Sequence, residues 1–297
     1  MAEINTNHRT DHNLICPTAK LVAYARANSD IPYSREISDI VGAEQVSKEL
    51  LGENFEFGNG FLAPYMEARF KAQSKYLHGK SILELAVGIL PRGLIETSNP
   101  RITYVGTDLQ EMIGETKSVM NKVINRNNLS RPNLHFETAN ALDYEQLKEA
   151  SKYFNGGDFS ASFEGLFVYL NRDEQRSLLS NLRKLVNPGH GFVVTPDISD
   201  LETSVKRRAT WDEDFKQNVV KVLPKITNAT QRNILDSFFP TQSEAEKFIG
   251  ECGFSAQFYP LYDESYKLST AQNIPVKYEK DTNNFVKSMK ICVMTPK

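Results

Sequence analysis

The feature that most constrains the fold is a regular alternation of short β-rich runs and helical runs in the middle of the chain. A helical run over 172–186, for example, ends at Asn187-Pro188-Gly189 and is followed directly by another β-rich run. Strands that alternate with helices at such short spacing are typical of a parallel sheet with helices on both faces. We therefore predict an α/β, Rossmann-like, doubly wound core. The five predicted strands cover residues 81–85, 102–108, 134–139, 158–165 and 191–197.

The alternation does not extend to either end of the chain, and this divides the sequence into segments. Helical patterns over 14–30 and 64–77 precede the first strand and predict an N-terminal cap. After the fifth strand, a helical insertion occupies the position expected of a substrate lid. A short helix and two β-rich runs joined by a polar loop follow, and we interpret the runs as an antiparallel hairpin that completes a seven-stranded, mostly parallel sheet. The predicted segments are the helical cap (1–78), the core (79–200), the lid insertion (201–240) and the C-terminal helix and hairpin (241–297).

Composition argues against several classes of function. With 35 basic and 37 acidic residues the net charge is −2, so no overall field attracts nucleic acid or an anionic membrane. The one basic cluster, Lys206-Arg207-Arg208, is interpreted as a solvated helix face. The three cysteines lie far apart, which argues against a disulfide framework or a structural zinc site. The N-terminus has no signal-peptide pattern and no stretch approaches the roughly 18 apolar residues of a membrane span, so we expect a cytoplasmic protein.

The loop after the first predicted strand carries residues that a bound ligand would contact. In an open α/β sheet, ligands bind beyond the carboxyl ends of the strands, where the strand order reverses. Small residues at Ala86, Gly88 and Gly93 let the backbone approach a ligand and let the next helix pack closely. Asp108 ends the second predicted strand, where a carboxylate can accept hydrogen bonds from both hydroxyls of a ribose. The spacing from Gly88 to Asp108 predicts a cofactor that contains a nucleoside.

Two details narrow the class of nucleoside cofactor. The loop lacks the G-x-G-x-x-G pattern that seats a pyrophosphate at a helix N-terminus. Glu84 lies near the carboxyl end of the first strand, where its charge disfavours a pyrophosphate and favours the sulfonium and ammonium groups of S-adenosylmethionine (SAM). The alternative is a structural role, in which Glu84 pairs with Arg92 or caps a helix. On these residues we favour SAM over a dinucleotide.

Two short motifs also carry a resemblance to a known family. They are ILELAVGILPRGL, over 82–94, and SASFEGLFVYL, over 160–170. They resemble the E-L-G-x-G-x-D-T-R and E-G-L-L-M-Y-L motifs of the leucine carboxyl methyltransferase-like family, which includes protein-phosphatase methyltransferases and bacterial O-methyltransferases related to polyketide biosynthesis. The second motif is the more specific match. The resemblance spans about residues 15 to 200 and implies a class I, SAM-dependent methyltransferase.

The resemblance assigns one group of residues to the methionine half of SAM. These residues are expected to contact its sulfonium, carboxylate and ammonium groups. They are Glu84, Ala86, Gly88 and Arg92 in the first motif, Arg69 and Lys20 for the carboxylate, and Glu164 and Gly165 beside the ammonium group.

A second group is assigned to the adenosine half. The resemblance places Asp108 on the ribose and Asn140 with Ala141 beside the adenine, and Asp143 is an alternative adenine contact. Asn140 is neutral where the family usually has an acid.

The first motif departs from the family pattern at three further positions. Ala86 replaces the first glycine, Leu90 the aspartate and Pro91 the threonine. An alanine at position 86 costs little where its φ is negative, so binding is expected to survive.

No residue is assigned as a catalytic base. A carboxylate acceptor needs none because it is already ionised at pH 7, whereas a hydroxyl acceptor would be helped by a base such as histidine. Among the five histidines, His78 and His135 are interpreted as structural and His190 as a surface residue. This pattern favours a carboxylate or an acidic phenol as the acceptor.

The end of the fifth strand and a set of aromatic residues complete the candidates. Asp197 and Asp200 lack an evident third oxygen ligand, so we interpret them as helix caps and predict no metal site. Some aromatic residues are able to line an acceptor pocket, although such residues are more often part of the core. They are Tyr24, Tyr33, Tyr169, Trp211, Phe215, Phe238 and Phe239.

The sequence thus predicts SAM-dependent methyl transfer to an oxygen of a small-molecule acceptor, with no nucleic-acid or membrane partner. A nicotinamide-dependent oxidoreductase fits less well, because the glycine fingerprint is missing and Tyr278 and Lys280 have the wrong spacing for a catalytic Tyr-x-x-x-Lys pair. A non-catalytic SAM-binding or scaffold protein and a methyltransferase for a protein carboxyl terminus remain alternatives.

Overall fold

The sheet at the centre of the molecule has seven strands. The structure is a computed structural model that describes residues 16–52, 62–213, 215–217, 225, 234–262 and 265–297. The strands are β1 (Ile82–Leu85), β2 (Tyr104–Asp108), β3 (Leu134–Thr138), β4 (Ser160–Phe163), β5 (Val193–Thr195), β6 (Phe254–Pro260) and β7 (Lys290–Pro296). Their order is β3-β2-β1-β4-β5-β7-β6, with β1 to β5 parallel and β7 antiparallel to both of its neighbours. The predicted seven-stranded, doubly wound α/β fold is confirmed.

Helices cover both faces of this sheet and form the predicted cap. The cap holds α1 (Cys16–Arg26), α2 (Ser34–Ile40), α3 (Ala43–Leu51) and α4 (Leu62–Leu77). Connections between the parallel strands contain α5 (Arg92–Glu96), α6 (Gln110–Arg126), α7 (Tyr144–Ala150) and α8 (Arg172–Leu185). After β5 come α9 (Leu201–Arg208), α10 (Gln242–Glu251) and α11 (Val276–Ser288). Single 3₁₀ turns lie at Ser151–Phe154, Phe167–Tyr169, Ile234–Ser237 and Ser269–Asn273. No described helix is long and apolar enough to cross a membrane.

Strand β1 shows how the sheet separates two apolar layers. Ile82 belongs to a cluster that contains side chains of α1, α4 and α6, whereas Leu83 and Leu85 pack on the other face with α8 and α10. Successive side chains of a strand point to opposite faces. Glu84 therefore shares the face of Ile82 and projects toward the cap side of the sheet.

The segment between β6 and β7 corrects the sequence prediction. The two strands pair antiparallel as predicted, but the connection contains the 13-residue helix α11 and not only a polar loop. This helix is rich in β-branched and amide residues, which are weak helix formers. Packing of its buried Tyr278, Phe285 and Val286 against the larger apolar cluster supports the helix instead.

The predicted lid insertion is described only in part. Helix α9 and the 3₁₀ turn Ile234–Ser237 agree with its predicted helical character, while 214, 218–224 and 226–233 lie outside the described residues. The division of the chain into four segments stays a prediction.

Candidate functional site

A cavity of about 410 Å³ lies at the carboxyl ends of β1, β2 and β4. The strand order reverses here, because the chain proceeds from β1 to β3 in one direction and from β4 onward in the other. This is the position at which open α/β sheets bind ligands. Loops after the first four strands form one wall, and α1, α4, α9 and the 3₁₀ turn Ile234–Ser237 complete the enclosure.

The turn after β1 brings its backbone to the cavity in a left-handed conformation. Ala86 has a φ of 50° and Gly88 a φ of 52°. The condition under which an alanine costs little at position 86, a negative φ, is therefore not met, and its methyl group is held in a region that glycine occupies without strain. The N–H of Gly88 donates to Asp108 Oδ2 at 2.9 Å, and the N–H of Leu109 donates to Oδ1 at 2.8 Å. Two backbone donors thus orient the Asp108 carboxylate at the cavity wall.

A buried ionic cluster forms the opposite part of the wall. Arg69 donates from Nε to Glu164 Oε1 at 3.1 Å and from Nη2 to Asp197 Oδ1 at 2.7 Å. Arg26 of α1 also pairs with Glu164 Oε1. Glu164 Oε2 is buried and has no hydrogen-bond partner among the described residues, although Glu164 lines the cavity. The cluster therefore presents one acceptor oxygen, Glu164 Oε2, to which no described residue donates a hydrogen bond.

Asp197 holds the loop after β4 in place. Its carboxylate accepts N–H bonds from Gly165 at 2.9 Å, Leu166 at 2.8 Å and Phe167 at 3.0 Å. Asp197 therefore binds the backbone at the start of the 3₁₀ turn Phe167–Tyr169 and not the N-terminus of α9. Asp200 does cap α9, since its side chain accepts the N–H of Thr203.

Burial and charge act in opposite directions on this cluster. Burial raises the pKa of Glu164, but the positive charges of Arg26 and Arg69 outweigh it and hold the pKa below its usual value. At Asp197 burial is the larger effect and raises the pKa, against the attraction of Arg69. The pKa of Arg69 is raised, because the neighbouring acidic groups outweigh the effect of burial. Glu164 is therefore ionised and Arg69 protonated at neutral pH.

Glu84 and Arg92 lie outside the cavity wall. Both side chains are fully buried, and neither residue lines the cavity. Arg92 Nε donates to the two Glu84 oxygens at 3.0 and 3.2 Å, and the Tyr104 hydroxyl donates to the same carboxylate. Arg92 also donates to the Gln73 side chain at 3.0 Å. The structural alternative for Glu84 is thus the one observed, because the strand period turns its side chain into the buried layer on the cap side of the sheet, where Arg92 and Tyr104 bind it.

Two other predicted contacts also lie elsewhere. Lys20 forms an ion pair with Glu115 at 2.8 Å and is not part of the cavity wall. Asp143 is the N-cap of α7, where it accepts the N–H of Gln146 at 3.1 Å. Both side chains have a nearby local partner that satisfies their charge or hydrogen-bonding capacity. The predicted residues that line the cavity are Arg69, Ala86, Gly88, Asp108, Asn140, Ala141, Glu164 and Gly165.

One face of α9 and the turn after it was misread from the sequence. Lys206 is exposed as expected, but Arg207 and Arg208 line the cavity. Ser204 and Trp211 line it as well, so the four residues share an i, i+3, i+4, i+7 spacing. That spacing predicts a common helix face and was the signal available in the sequence.

The remaining candidates divide between wall and core. Tyr169, Trp211 and Phe238 line the cavity, together with Tyr65 and Phe285, which the sequence did not single out. Tyr24, Tyr33, Phe215 and Phe239 do not line it. Of the described histidines, His78 lies near Glu96, His135 stacks on Tyr153 and His190 pairs with Asp158, so none reaches the cavity. His8 and His12 lie outside the described residues.

Comparison with known proteins gives matches among solved structures only. No family model matches the sequence, and no curated protein matches it. The chain is similar to a candidate O-methyltransferase from Nostoc punctiforme PCC 73102, with 14% identity, a TM-score of 0.47, and coverage of 96% of this chain and 68% of that one. It is also similar to magnesium protoporphyrin IX methyltransferase from Synechocystis PCC 6803, solved with bound S-adenosylhomocysteine (SAH), with 12% identity, a TM-score of 0.46, and coverage of 90% and 100%.

A third similar structure is an O-methyltransferase family protein from Burkholderia thailandensis. It has 13% identity, a TM-score of 0.46, and coverage of 89% of this chain and 62% of that one. All three are described as methyltransferases, as is the family that the sequence motifs resemble. Similarity at this level carries no argument about substrate, which rests on the residues of the cavity itself.

Proposed function

We propose that the protein is a SAM-dependent methyltransferase that transfers the methyl group to an oxygen of a small acidic acceptor. The observation that carries this proposal is that one cavity contains both Asp108 and the Arg69–Glu164 cluster. An acid at the end of β2 suits a ribose, and a paired arginine and carboxylate suit the two charged groups of an amino acid. SAM is a nucleoside joined to an amino acid, so it has both of these features.

The cluster fits the methionine half of SAM in number of hydrogen bonds as well as in charge. The guanidinium of Arg69 has five N–H donors, and its hydrogen bonds to Glu164, Asp197 and Tyr65 use three of them. The remaining donors suit the SAM carboxylate. Glu164 Oε2, buried and without a partner among the described residues, suits the ammonium group. A ligand cation there would remove the cost of leaving a buried acceptor unsatisfied, which is about 1–3 kcal/mol.

At the other end of the cavity, Asp108 would accept hydrogen bonds from the ribose hydroxyls. Asn140, Ala141 and Leu142 line the wall beyond it and suit the adenine. Bound SAM supplies a methyl group on a sulfonium, which is transferred by in-line displacement. The protein's part is to align the acceptor with that group and to exclude water through the apolar walls.

The side chains of the described wall support an acidic oxygen acceptor. The described cavity wall contains no histidine that would remove a proton from an alcohol. An acceptor that is already ionised near pH 7 needs no such base. A carboxylate or an acidic phenol meets this condition.

The first experiment is calorimetric titration of the purified protein with SAM, SAH and NAD. We expect micromolar binding of SAM and SAH and no binding of NAD. Asp108→Asn should weaken SAM binding about tenfold or more, because a charged acceptor for the ribose is lost. Glu145→Gln is the matched control, since its carboxylate is 75% exposed on α7 and away from the cavity. NAD binding without SAM binding would contradict the proposal, as would full SAM affinity in Asp108→Asn.

The acceptor atom is then tested by turnover. The protein is incubated with SAM and a panel of aromatic carboxylic acids and phenols, and SAH formation and a methyl-sized mass increase are measured together. A product that loses its methyl group in mild base is a methyl ester, whereas a stable product is a methyl ether. A protein that binds SAM but methylates no member of the panel would favour the non-catalytic alternative.

A further inference from the structure

The lid side of the cavity carries a cationic face that the binding of SAM does not use. Ser204, Arg207, Arg208 and Trp211 lie at helical spacing along α9 and the residues after it, and all four line the cavity. They are separate from the Arg69–Glu164 cluster, which lies on α4 and on the loop after β4. We call Arg207, Arg208 and Trp211 the lid cluster.

The two arginines of the lid cluster have no acidic partner among the described residues. The arginines at the other end of the site behave differently, since Arg26 and Arg69 each pair with a buried carboxylate. Arg207 donates instead to the Met289 sulfur at 2.8 Å and to the Ser204 hydroxyl at 3.3 Å. A thioether is a weak acceptor and neither partner carries charge. The lid cluster therefore holds two guanidinium groups without an ion pair among the described residues, although Asp200 attracts Arg207 without pairing with it.

The cluster also holds three buried N–H groups that no described residue accepts. Nε of Arg207, Nε of Arg208 and Nε1 of Trp211 are buried and have no hydrogen-bond partner among the described residues. Trp211 itself is only 8% exposed. A buried donor left unsatisfied destabilises a protein, so such groups normally have a partner. Three of them on one wall of a cavity indicate a ligand group that accepts several hydrogen bonds.

Stacking within the protein explains only part of this arrangement. The Arg207 guanidinium lies 5.1 Å from the Phe285 ring centre and 5.9 Å from that of Trp211. These cation–π contacts stabilise its charge over the ring faces. They provide no acceptor for the three N–H groups and make no contact with Arg208.

We propose that the lid cluster binds an anionic oxygen group, a carboxylate or a phosphate, on the acceptor of the methyl group. The proposal rests on the proposed function, and it names the substrate class as an organic anion with an apolar body. The apolar body follows from the apolar side chains that line the same cavity, which include Leu62, Met66, Leu235, Phe238, Phe285 and Met289. The anionic group of such a molecule would accept hydrogen bonds from the three unsatisfied N–H groups, and its apolar body would fill the apolar part of the cavity.

The test uses Trp211 as a reporter, because it is the only tryptophan of the chain. Its fluorescence is followed while the protein is titrated with 5-phenylpentanoate and its primary amide, and with 5-phenylpentyl phosphate and its parent alcohol. At least one anion should bind about tenfold or more tightly than its neutral counterpart, since hydrogen bonds to charged groups contribute about 1.5–3 kcal/mol. The pair with the larger ratio identifies the anion.

Three variants connect the preference to the cluster. Arg207→Gln and Arg208→Gln should each reduce the anion-to-neutral ratio several-fold, while Lys206→Gln should leave it unchanged. Lys206→Gln is a matched control, because the substitution removes the same charge from the same helix. The Lys206 side chain is 74% exposed and paired with Glu202. Equal binding of anions and neutral compounds, absence of binding by all four probes, or an equal loss in Lys206→Gln would overturn the proposal.

Calorimetry with SAM on the same proteins separates this proposal from the proposed function. Neither arginine of the lid cluster is assigned to SAM, so both variants should bind SAM as the wild type does. SAM binding without an anion preference would contradict the lid proposal alone. An anion preference without SAM binding would contradict the proposed function and leave an anion-binding cavity.

Discussion

At the scale of single residues, the turn after β1 keeps an alanine where its backbone favours glycine. Ala86 has a φ of 50° and lines the cavity, and the turn it forms brings Gly88 to Asp108. A left-handed conformation costs a residue with a Cβ atom roughly 1–2 kcal/mol. The strain is therefore located in the loop that we assign to cofactor binding.

Ala86→Gly should relieve this strain and raise the free energy of unfolding by up to about 1 kcal/mol, because the greater freedom of glycine in the unfolded chain offsets part of the gain. Urea unfolding of both proteins measures the difference. Ala161→Gly is the control, since Ala161 is buried within β4 and has no positive φ. There the same substitution should lower stability. Equal losses at both positions would show that the turn is not strained.

Glu164 gives a prediction with a defined pH dependence. Its pKa in the folded protein is lowered by Arg26 and Arg69, so its charge stabilises the folded state above the ordinary glutamate pKa of about 4.3. This stabilisation is lost as the pH falls through the lowered folded pKa. Glu164→Gln should therefore lower the free energy of unfolding at pH 7 by about 3–5 kcal/mol, as expected for a broken buried ion pair.

Urea unfolding of Glu164→Gln and wild type at decreasing pH measures this effect. The difference between them should be largest at neutral pH and should narrow below about pH 4. Glu145→Gln, on the exposed face of α7, should match the wild type within about 0.5 kcal/mol at pH 7. A difference for Glu164→Gln that does not change with pH would mean that packing and not charge accounts for the loss.

At the scale of elements, the sequence predicts those strands and site residues that can be recognised from a short stretch of neighbouring residues. The five parallel strands are recognisable because each is a short β-rich run between turns, and Asp108 is recognisable by its place at the end of one of them. Helix α11 is not recognisable in this way, since its own sequence favours a helix only weakly and packing against residues distant in the sequence stabilises it. The same holds for Arg26, whose pairing with Glu164 joins residues 138 positions apart. The position of Glu84 near the strand end suggests a ligand contact, but the strand period sets the face to which its side chain points and places it with Arg92 and Tyr104.

Phe285 allows a test of how α11 is held in place. It is 5% exposed, contacts the Tyr65 ring at 5.0 Å and the Trp211 ring at 5.6 Å, and lines the cavity. Phe285→Ala should lower the free energy of unfolding by about 3–5 kcal/mol, as expected for a buried aromatic residue, and should change the emission of Trp211. Val276→Ala, on the same helix but 87% exposed, should cost less than about 0.5 kcal/mol. Similar losses in both variants would show that α11 lacks this tertiary support.

At the scale of the whole molecule, the predicted cap and core share one interior. The larger apolar cluster contains Leu21 and Leu51 of the cap together with Tyr104 and Phe136 of the sheet. The ionic cluster crosses the same boundary, because Arg26 of α1 pairs with Glu164 after β4. A cap that buries its apolar side chains against the sheet has no separate core of its own. We therefore expect the described parts of cap and core to unfold together, although the sequence divides them into segments.

Scanning calorimetry tests this expectation together with the cofactor. The protein should show one unfolding transition, and SAM at about 100 times its dissociation constant should stabilise the folded state by about 2.7 kcal/mol. For a chain of this size, that corresponds to a rise in the transition midpoint of roughly 4 to 5 °C, and NAD should cause none. The single transition should move as a whole, because cap and core both line the cavity. Two transitions, of which SAM moves only the later one, would instead mean that the sheet binds the cofactor alone and that the cap folds as an independent unit.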